Sequence, residues 1–119
     1  TVEFIDNAVR VFNPHGDGKL VGVQQTINIK SGTLYRLSGR ARSLLTNDSA
    51  IGFGARLACY IPGAKEHQIV WMSEYNNWLQ KSITFTNYVE GTATIYVHLG
   101  YGNIQSTGDF TKIVLEPLN

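Results

Sequence analysis

The segment Val23–Ser43, VQQTINIKSGTLYRLSGRARS, joins two runs of alternating apolar and polar residues through a tight turn at residues 30–33. Side chains alternate between the two faces of a strand, so Val23, Ile27 and Ile29 share one side of the first run. The turn contains Gly32, which tolerates the left-handed backbone that tight turns often need. The segment therefore predicts two strands joined by a short connection.

The second run has the same two-faced pattern. Apolar and small residues point one way, and arginines point the other: Tyr35, Leu37, Gly39 and Ala41 against Arg36, Arg40 and Arg42. We expect a β-hairpin with one dry face and one wet face, as in an antiparallel sheet packed on a core. Neither face carries a catalytic constellation, so the segment indicates a scaffold that presents a surface.

Composition limits the classes of partner. The chain has 119 residues, and we expect one domain over 1–119, excised or processed from a longer chain. Ten Lys and Arg stand against nine Asp and Glu, and only 16% of residues are charged. This balance predicts no nucleic-acid partner and no anionic membrane partner. Polarity comes from Thr, Ser, Asn and Gln, which suit neutral partners rich in hydroxyl groups.

Short apolar runs exclude two further classes. None approaches the roughly 18 residues of a membrane span, and no secretory leader pattern opens the sequence. Cys59 is the single cysteine, which excludes an internal disulfide and a multi-cysteine zinc site. Its apolar neighbours predict a buried side chain.

Strand-like runs recur along the chain and are separated by turn residues. The runs are Val2–Ile5, Ala8–Phe12, Leu20–Ile29, Leu34–Leu45, Ala50–Ile61, Gln68–Met72, Leu79–Thr86, Thr92–Leu99 and Phe110–Leu115. No window of a dozen residues shows helical spacing. The pattern predicts an all-β sandwich or barrel.

Four blocks of sequence, in this order, carry a resemblance to a known family. They are Gln25–Ile29 with Thr33–Ser38 and Arg42-Ser43, then Trp78–Thr86, Gly91–Gly100 and Phe110–Pro117. The chain resembles the jelly-roll carbohydrate-binding modules of bacterial polysaccharide-degrading enzymes. The resemblance implies a galactose-binding-domain-like β-sandwich of two antiparallel sheets that binds a glycan along its concave sheet. It also implies an extracellular or particle-surface location and an attached neighbouring domain.

One departure from the family concerns calcium. The closing strand of relatives usually carries two aspartates, which help to hold a structural calcium, where Thr111-Lys112 stand here. Calcium prefers several oxygen ligands, often carboxylates. We expect no cofactor, and a structural calcium is the exception that the resemblance leaves open.

Carrying the family's concave-face positions onto this sequence gives a ligand-binding set. The set is Gln25, Arg56, Thr94, Tyr96 and His98. Alternation agrees independently for Arg56, Tyr96 and His98, and it puts Tyr60 on the same face. Aromatic rings and fixed hydrogen-bonding groups suit a polyhydroxylated ligand. The alternative is that these are ordinary solvent-facing strand residues that pack across strands.

Residues 67–78 form a second aromatic concentration. Tyr75 is the candidate for a contact carried by a loop. Trp78 stands at the family's framework tryptophan position, which implies a core residue. Trp71 alternates with Ile69 and fits either the core or one wall of the groove.

The row of Arg36, Arg40 and Arg42 has two interpretations. It is a solvated face that discourages aggregation, or it is a site for anionic sugars or for a neighbouring domain. In relatives this strand belongs to the convex sheet, opposite the glycan groove.

We expect no enzyme. The three histidines lack metal-site spacing with a carboxylate, and the predicted concave positions carry no acid for glycoside hydrolysis. The sequence predicts a non-catalytic module that holds an oligo- or polysaccharide in a concave groove and targets an attached enzyme or particle to it. The alternative is a structural or oligomerising terminal domain of a phage tail spike or adhesin, for which a homo-oligomer is expected.

Overall fold

A computed structural model of the chain describes residues 2–5, 7–13, 22–44, 54–71, 76–99 and 106–118. These ranges contain strands and no helix: β1 Val2–Ile5, β2 Ala8–Asn13, β3 Gly22–Ile29, β4 Thr33–Leu44, β5 Ala55–Tyr60, β6 His67–Trp71, β7 Leu79–Asn87, β8 Gly91–His98 and β9 Ser106–Pro117. Each predicted run overlaps one of these strands, with ends that differ by a few residues.

The strands form two antiparallel sheets. One has the order β1-β2-β9-β4-β7 and the other β3-β8-β5-β6. Each sheet turns one side of its alternating strands inward, so the two apolar faces enclose a common core. The predicted all-β jelly-roll sandwich is confirmed.

The connection between β3 and β4 corrects one prediction. These strands do not form a hairpin, because β3 pairs with β8 while β4 pairs with β7 and β9. The turn instead carries the chain from one sheet to the other, with Gly32 at a φ of 77°. The apolar faces of both strands therefore meet across the core. In a hairpin, the two strands would instead lie side by side in one sheet.

Asn87 anchors this crossing. Its side-chain amide donates to the carbonyls of Lys30 and Val89 at 2.8 and 2.7 Å, and its backbone carbonyl accepts from the amide of Gly32 at 2.7 Å. Ser31 donates through its hydroxyl to the carbonyl of Tyr88 at 3.0 Å. The bonds hold the β3–β4 turn against the β7–β8 turn, which fixes one end of the sandwich.

Large side chains from both sheets fill the core. Leu57 and Trp71 come from one sheet and Leu37 and Phe110 from the other, and all four are at most 2% exposed. The rings of Trp71 and Phe110 meet edge to face at 6.5 Å. Cys59 is fully buried, as predicted.

The two tryptophans differ in environment. Trp71 is in the core, where its indole N–H donates to the carbonyl of Leu79 at 2.8 Å. Trp78 is only half-buried and lies beside the arginines of β4, with the guanidinium of Arg42 4.8 Å from its ring centre. The expectation of a core Trp78 is therefore wrong.

Candidate functional site

The outer face of the four-stranded sheet carries a groove that the strand register assembles row by row. In the central row Gln24, Tyr96, Ala58 and Gln68 are successive partners across β3, β8, β5 and β6. Ala58 is 3% exposed, and its small side chain lies between two long neighbours. The sheet is therefore recessed at its middle.

Two flanking rows complete the groove. On one side His98 of β8 is the partner of Arg56 on β5. On the other side Thr94 is the partner of Tyr60, and Glu66 lies just before β6. Together with the central row these side chains line a depression of about 340 Å³, within the size range of small-ligand sites.

Tyr96 and His98 form a stacked pair of aromatic rings in the groove. They are two residues apart on one strand, and their rings stack with centres 5.0 Å apart and planes 26° apart. His98 is 6% exposed. Burial, followed by the charge of Arg56, lowers the pKa of His98 to about 4. The imidazole is therefore neutral at pH 7, with one nitrogen donating and the other accepting.

The groove offers hydrogen bonds with little net charge. Its described lining contains one guanidinium, from Arg56, and one carboxylate, from Glu66. Amides of Gln24 and Gln68 both donate and accept, as do the tyrosine hydroxyls. Such a surface suits a neutral ligand with many hydroxyl groups and apolar ring faces.

The structure brings together five of the seven predicted site residues, namely Arg56, Tyr60, Thr94, Tyr96 and His98. Tyr75 lies outside the described residues. None of the predicted concave positions is an acid, but Glu66, which was not among them, also lines the groove. One carboxylate among the described lining residues still leaves the pair needed for glycoside hydrolysis incomplete.

Gln25 is the misplaced member of the predicted set. Its partner on β8 is Ile95, so it points to the opposite face of the sheet from Tyr96, and Gln24 takes the position in the groove. Gln25 instead lines a cleft of about 430 Å³ between the two sheets, beside Ile27 and Phe110. The sequence pattern could have predicted this position, because Gln25 lies on the same face of the strand as Val23 and Ile27.

Sequence reasoning also missed Ala58, Glu66 and Gln68. Gln68 precedes the inward-facing Ile69, which assigns it to the outer face. Ala58 contributes by being small, a property that no binding motif signals.

The described residues contain no group of three or more His, Cys, Asp or Glu side chains that could hold a metal ion. No helix long and apolar enough to cross a membrane occurs in the same ranges.

A scan against protein-family models and a search of curated proteins found no match to this sequence. Solved structures do match. A CBM4 module superposes with a TM-score of 0.71 at 16% identity, over 98% of this chain and 75% of its own. A family 16 carbohydrate-binding module gives 0.58 at 14% identity, over 92% and 75%. A CBM61 module in complex with β-1,4-galactotriose gives 0.56 at 16% identity, over 92% and 70%.

These likenesses define the class of fold. The chain has the jelly-roll β-sandwich of carbohydrate-binding modules, in agreement with the resemblance that its sequence blocks carry.

Proposed function

We propose that this chain is a non-catalytic carbohydrate-binding module that holds a neutral oligo- or polysaccharide in the groove of the four-stranded sheet. The observation that carries the proposal is the alignment of polar and aromatic side chains in register across all four strands of that sheet. Three of the similar solved structures are carbohydrate-binding modules, which supports a ligand of this class.

Each part of the groove has a role in the proposal. The ring of Tyr96 stacks against the apolar face of a sugar, and Tyr60, 51% exposed, extends that surface. Arg56, Gln24 and neutral His98 exchange hydrogen bonds with sugar hydroxyls. The module would concentrate an attached enzyme or particle on a polysaccharide outside the cell.

A glycan array identifies the ligand, and calorimetry then measures its affinity for the wild type and for Tyr96→Ala. Loss of stacking is expected to weaken binding about fivefold or more, since an aromatic contact of this kind is worth roughly 1 kcal/mol beyond its buried area. Tyr88→Ala is the matched control, because Tyr88 is 78% exposed on the β7–β8 turn and does not line the groove.

The adjacent glutamines give a second matched pair. Gln24→Ala removes an amide from the groove, whereas Gln25→Ala removes the same group from the opposite face. We expect weaker glycan binding for Gln24→Ala and unchanged binding for Gln25→Ala. Equal affinities in all four variants would place the glycan elsewhere. A chain that binds no glycan and elutes as a trimer would favour the assembly domain of a tail spike or adhesin.

A further inference from the structure

The outer face of the five-stranded sheet, on the other side of the sandwich, carries a cluster of cations around one buried carboxylate. Asp109 is fully buried. Arg10 donates from Nε to Oδ1 at 2.8 Å and from Nη2 to Oδ2 at 3.0 Å, and Arg42 donates from Nε to Oδ2 at 2.8 Å. The three residues are partners in one row across β2, β9 and β4. Asp109 is therefore fully engaged with these two guanidiniums.

Two further cations lie beside this row. Among the described residues, no ion pair involves Arg40 or Lys112. By contrast, Arg36 of the same strand pairs with Glu116 at 2.6 Å. The formal charges of Arg10, Arg40, Arg42, Lys112 and Asp109 sum to +3, and Glu3 of β1 is the partner of Arg10 in the same row. This part of the outer face therefore carries more cations than acids.

Three of the four cations, Arg40, Arg42 and Lys112, line a cavity that is open to solvent. It encloses about 510 Å³, and its lining includes Asn7, Arg40, Arg42, Trp78, Thr111 and Lys112. The described lining contains no carboxylate. The guanidiniums of Arg40 and Arg42 lie 5.9 and 4.8 Å from the centre of the Trp78 ring, which holds them at the cavity wall. Cations and an aromatic surface thus meet in one recess.

The backbone at this cavity is also unusual. Asn7 and Lys112 have φ angles of 65° and 53°, and the β4–β9 register shifts between Ser38 and Arg40. Left-handed backbone is unfavourable for a residue such as lysine. Bulges and strained residues of this kind are common where a strand re-aims a side chain toward a ligand.

We propose that this cavity is a second binding site, specific for an acidic sugar unit of a polysaccharide, with a carboxylate or sulfate ester held by Arg40, Arg42 and Lys112. The ring of Trp78 supplies apolar surface for the C–H groups of the same sugar. A nucleic acid or an anionic membrane needs a long track or plane of cations, whereas the charge here is confined to one recess.

The test is calorimetry at low and physiological salt with polygalacturonate, dextran sulfate and neutral dextran. Binding of an acidic polymer and no binding of neutral dextran are expected, with weakening as salt rises. Arg40→Gln and Lys112→Asn should each weaken it about tenfold, the worth of one lost hydrogen bond to a charged group. Asparagine accepts a positive φ, so the second variant keeps the local backbone.

Arg36→Gln is the matched control, because it removes a cation from the same strand outside the cavity. It should leave the affinity unchanged, as should Tyr96→Ala in the groove of the other sheet. The proposal is overturned by equal losses in Arg36→Gln and Arg40→Gln, or by absence of binding to both acidic polymers. Tighter binding to duplex DNA or to phosphatidylserine vesicles would also overturn it. Because the two sites lie on opposite sheets, failure here leaves the proposal for the groove standing.

Discussion

Replacing Asp109 by Asn tests how much the outer cluster contributes to stability. The substitution keeps the shape of the side chain but turns one oxygen into an N–H donor that faces guanidinium donors. Breaking a buried ion pair by changing one partner costs about 3–5 kcal/mol. The side chains of Arg10 and Arg42 are 29% and 28% exposed, so water screens them in part. We therefore expect a loss of about 3 kcal/mol.

Urea denaturation at pH 7 measures this loss. With a slope of about 1.5 kcal/mol per molar urea, the midpoint should fall by about 2 M. Glu116→Gln is the control, because it breaks the exposed pair with Arg36, in which both side chains are more than 40% exposed. Such a pair contributes less than about 1 kcal/mol.

The pH dependence of the loss provides the second arm. Burial alone raises the pKa of Asp109, but hydrogen bonds from Arg10 and Arg42 and their charges outweigh it and bring the pKa below its ordinary value. A carboxylate with a lowered pKa in the folded state stabilises the protein above the unfolded pKa of about 3.9. That stability disappears as pH falls through the folded pKa.

The gap between the wild type and Asp109→Asn should consequently be full at pH 7 and narrow below pH 4. A variant within 1 kcal/mol of the wild type at pH 7 would refute the reasoning. So would a gap that stays constant into acid.

Two other ionisable groups give predictions. Because the pKa of His98 is about 4 when folded against about 6.5 when unfolded, the wild type should lose about 3 kcal/mol between pH 6.5 and 4. His98→Gln should lack this part of the slope, and parallel urea titrations of both would contradict the assignment. Burial and then Glu66 raise the pKa of the Cys59 thiol to about 11, so the native protein should not react with a disulfide reagent at pH 8. Full reaction is expected in denaturant, and rapid native reaction would show an accessible thiol.

The strands were predictable because alternation is a local property. Residues such as Leu37 and Ala41 face the core wherever their strand is placed, so the inward faces followed from the sequence. The pairing of strands did not follow. A hairpin and a crossing between sheets produce the same alternation on both sides of Gly32, and only contacts with β7, β8 and β9 distinguish them.

The groove shows the limits of a family resemblance at single residues. The register of a strand is fixed by its apolar phase, and a shift of one residue moves every side chain to the other face. Val23 and Ile27 set that phase, and they assign Gln25 to the inner face and Gln24 to the groove. The apolar pattern of this strand therefore predicts the groove residue better than the position transferred from the family.

The outer cluster depended on contacts that the sequence does not record. Asp109 is 67 residues from Arg42 and 99 from Arg10. The three meet only because β9 lies between β2 and β4. The sequence therefore left two interpretations of the arginine row of β4, a solvated face or a binding site. In the structure, the arginines of this row have different surroundings. Arg36 and Arg42 have carboxylate partners, whereas Arg40 faces a cavity.

Because these arginines have different partners, their effects on stability and on binding can be measured separately. Arg42 belongs both to the buried pair with Asp109 and to the wall of the cavity, so its loss would disturb both. Arg40 and Lys112 line the same cavity, but neither takes part in an ion pair among the described residues. Arg40→Gln should therefore weaken binding of an acidic polymer and leave the urea midpoint unchanged. Asp109→Asn, by contrast, should lower the urea midpoint. If Arg40→Gln lowered the midpoint as much as Asp109→Asn, the cavity would be part of the stabilising cluster and not a separate binding surface.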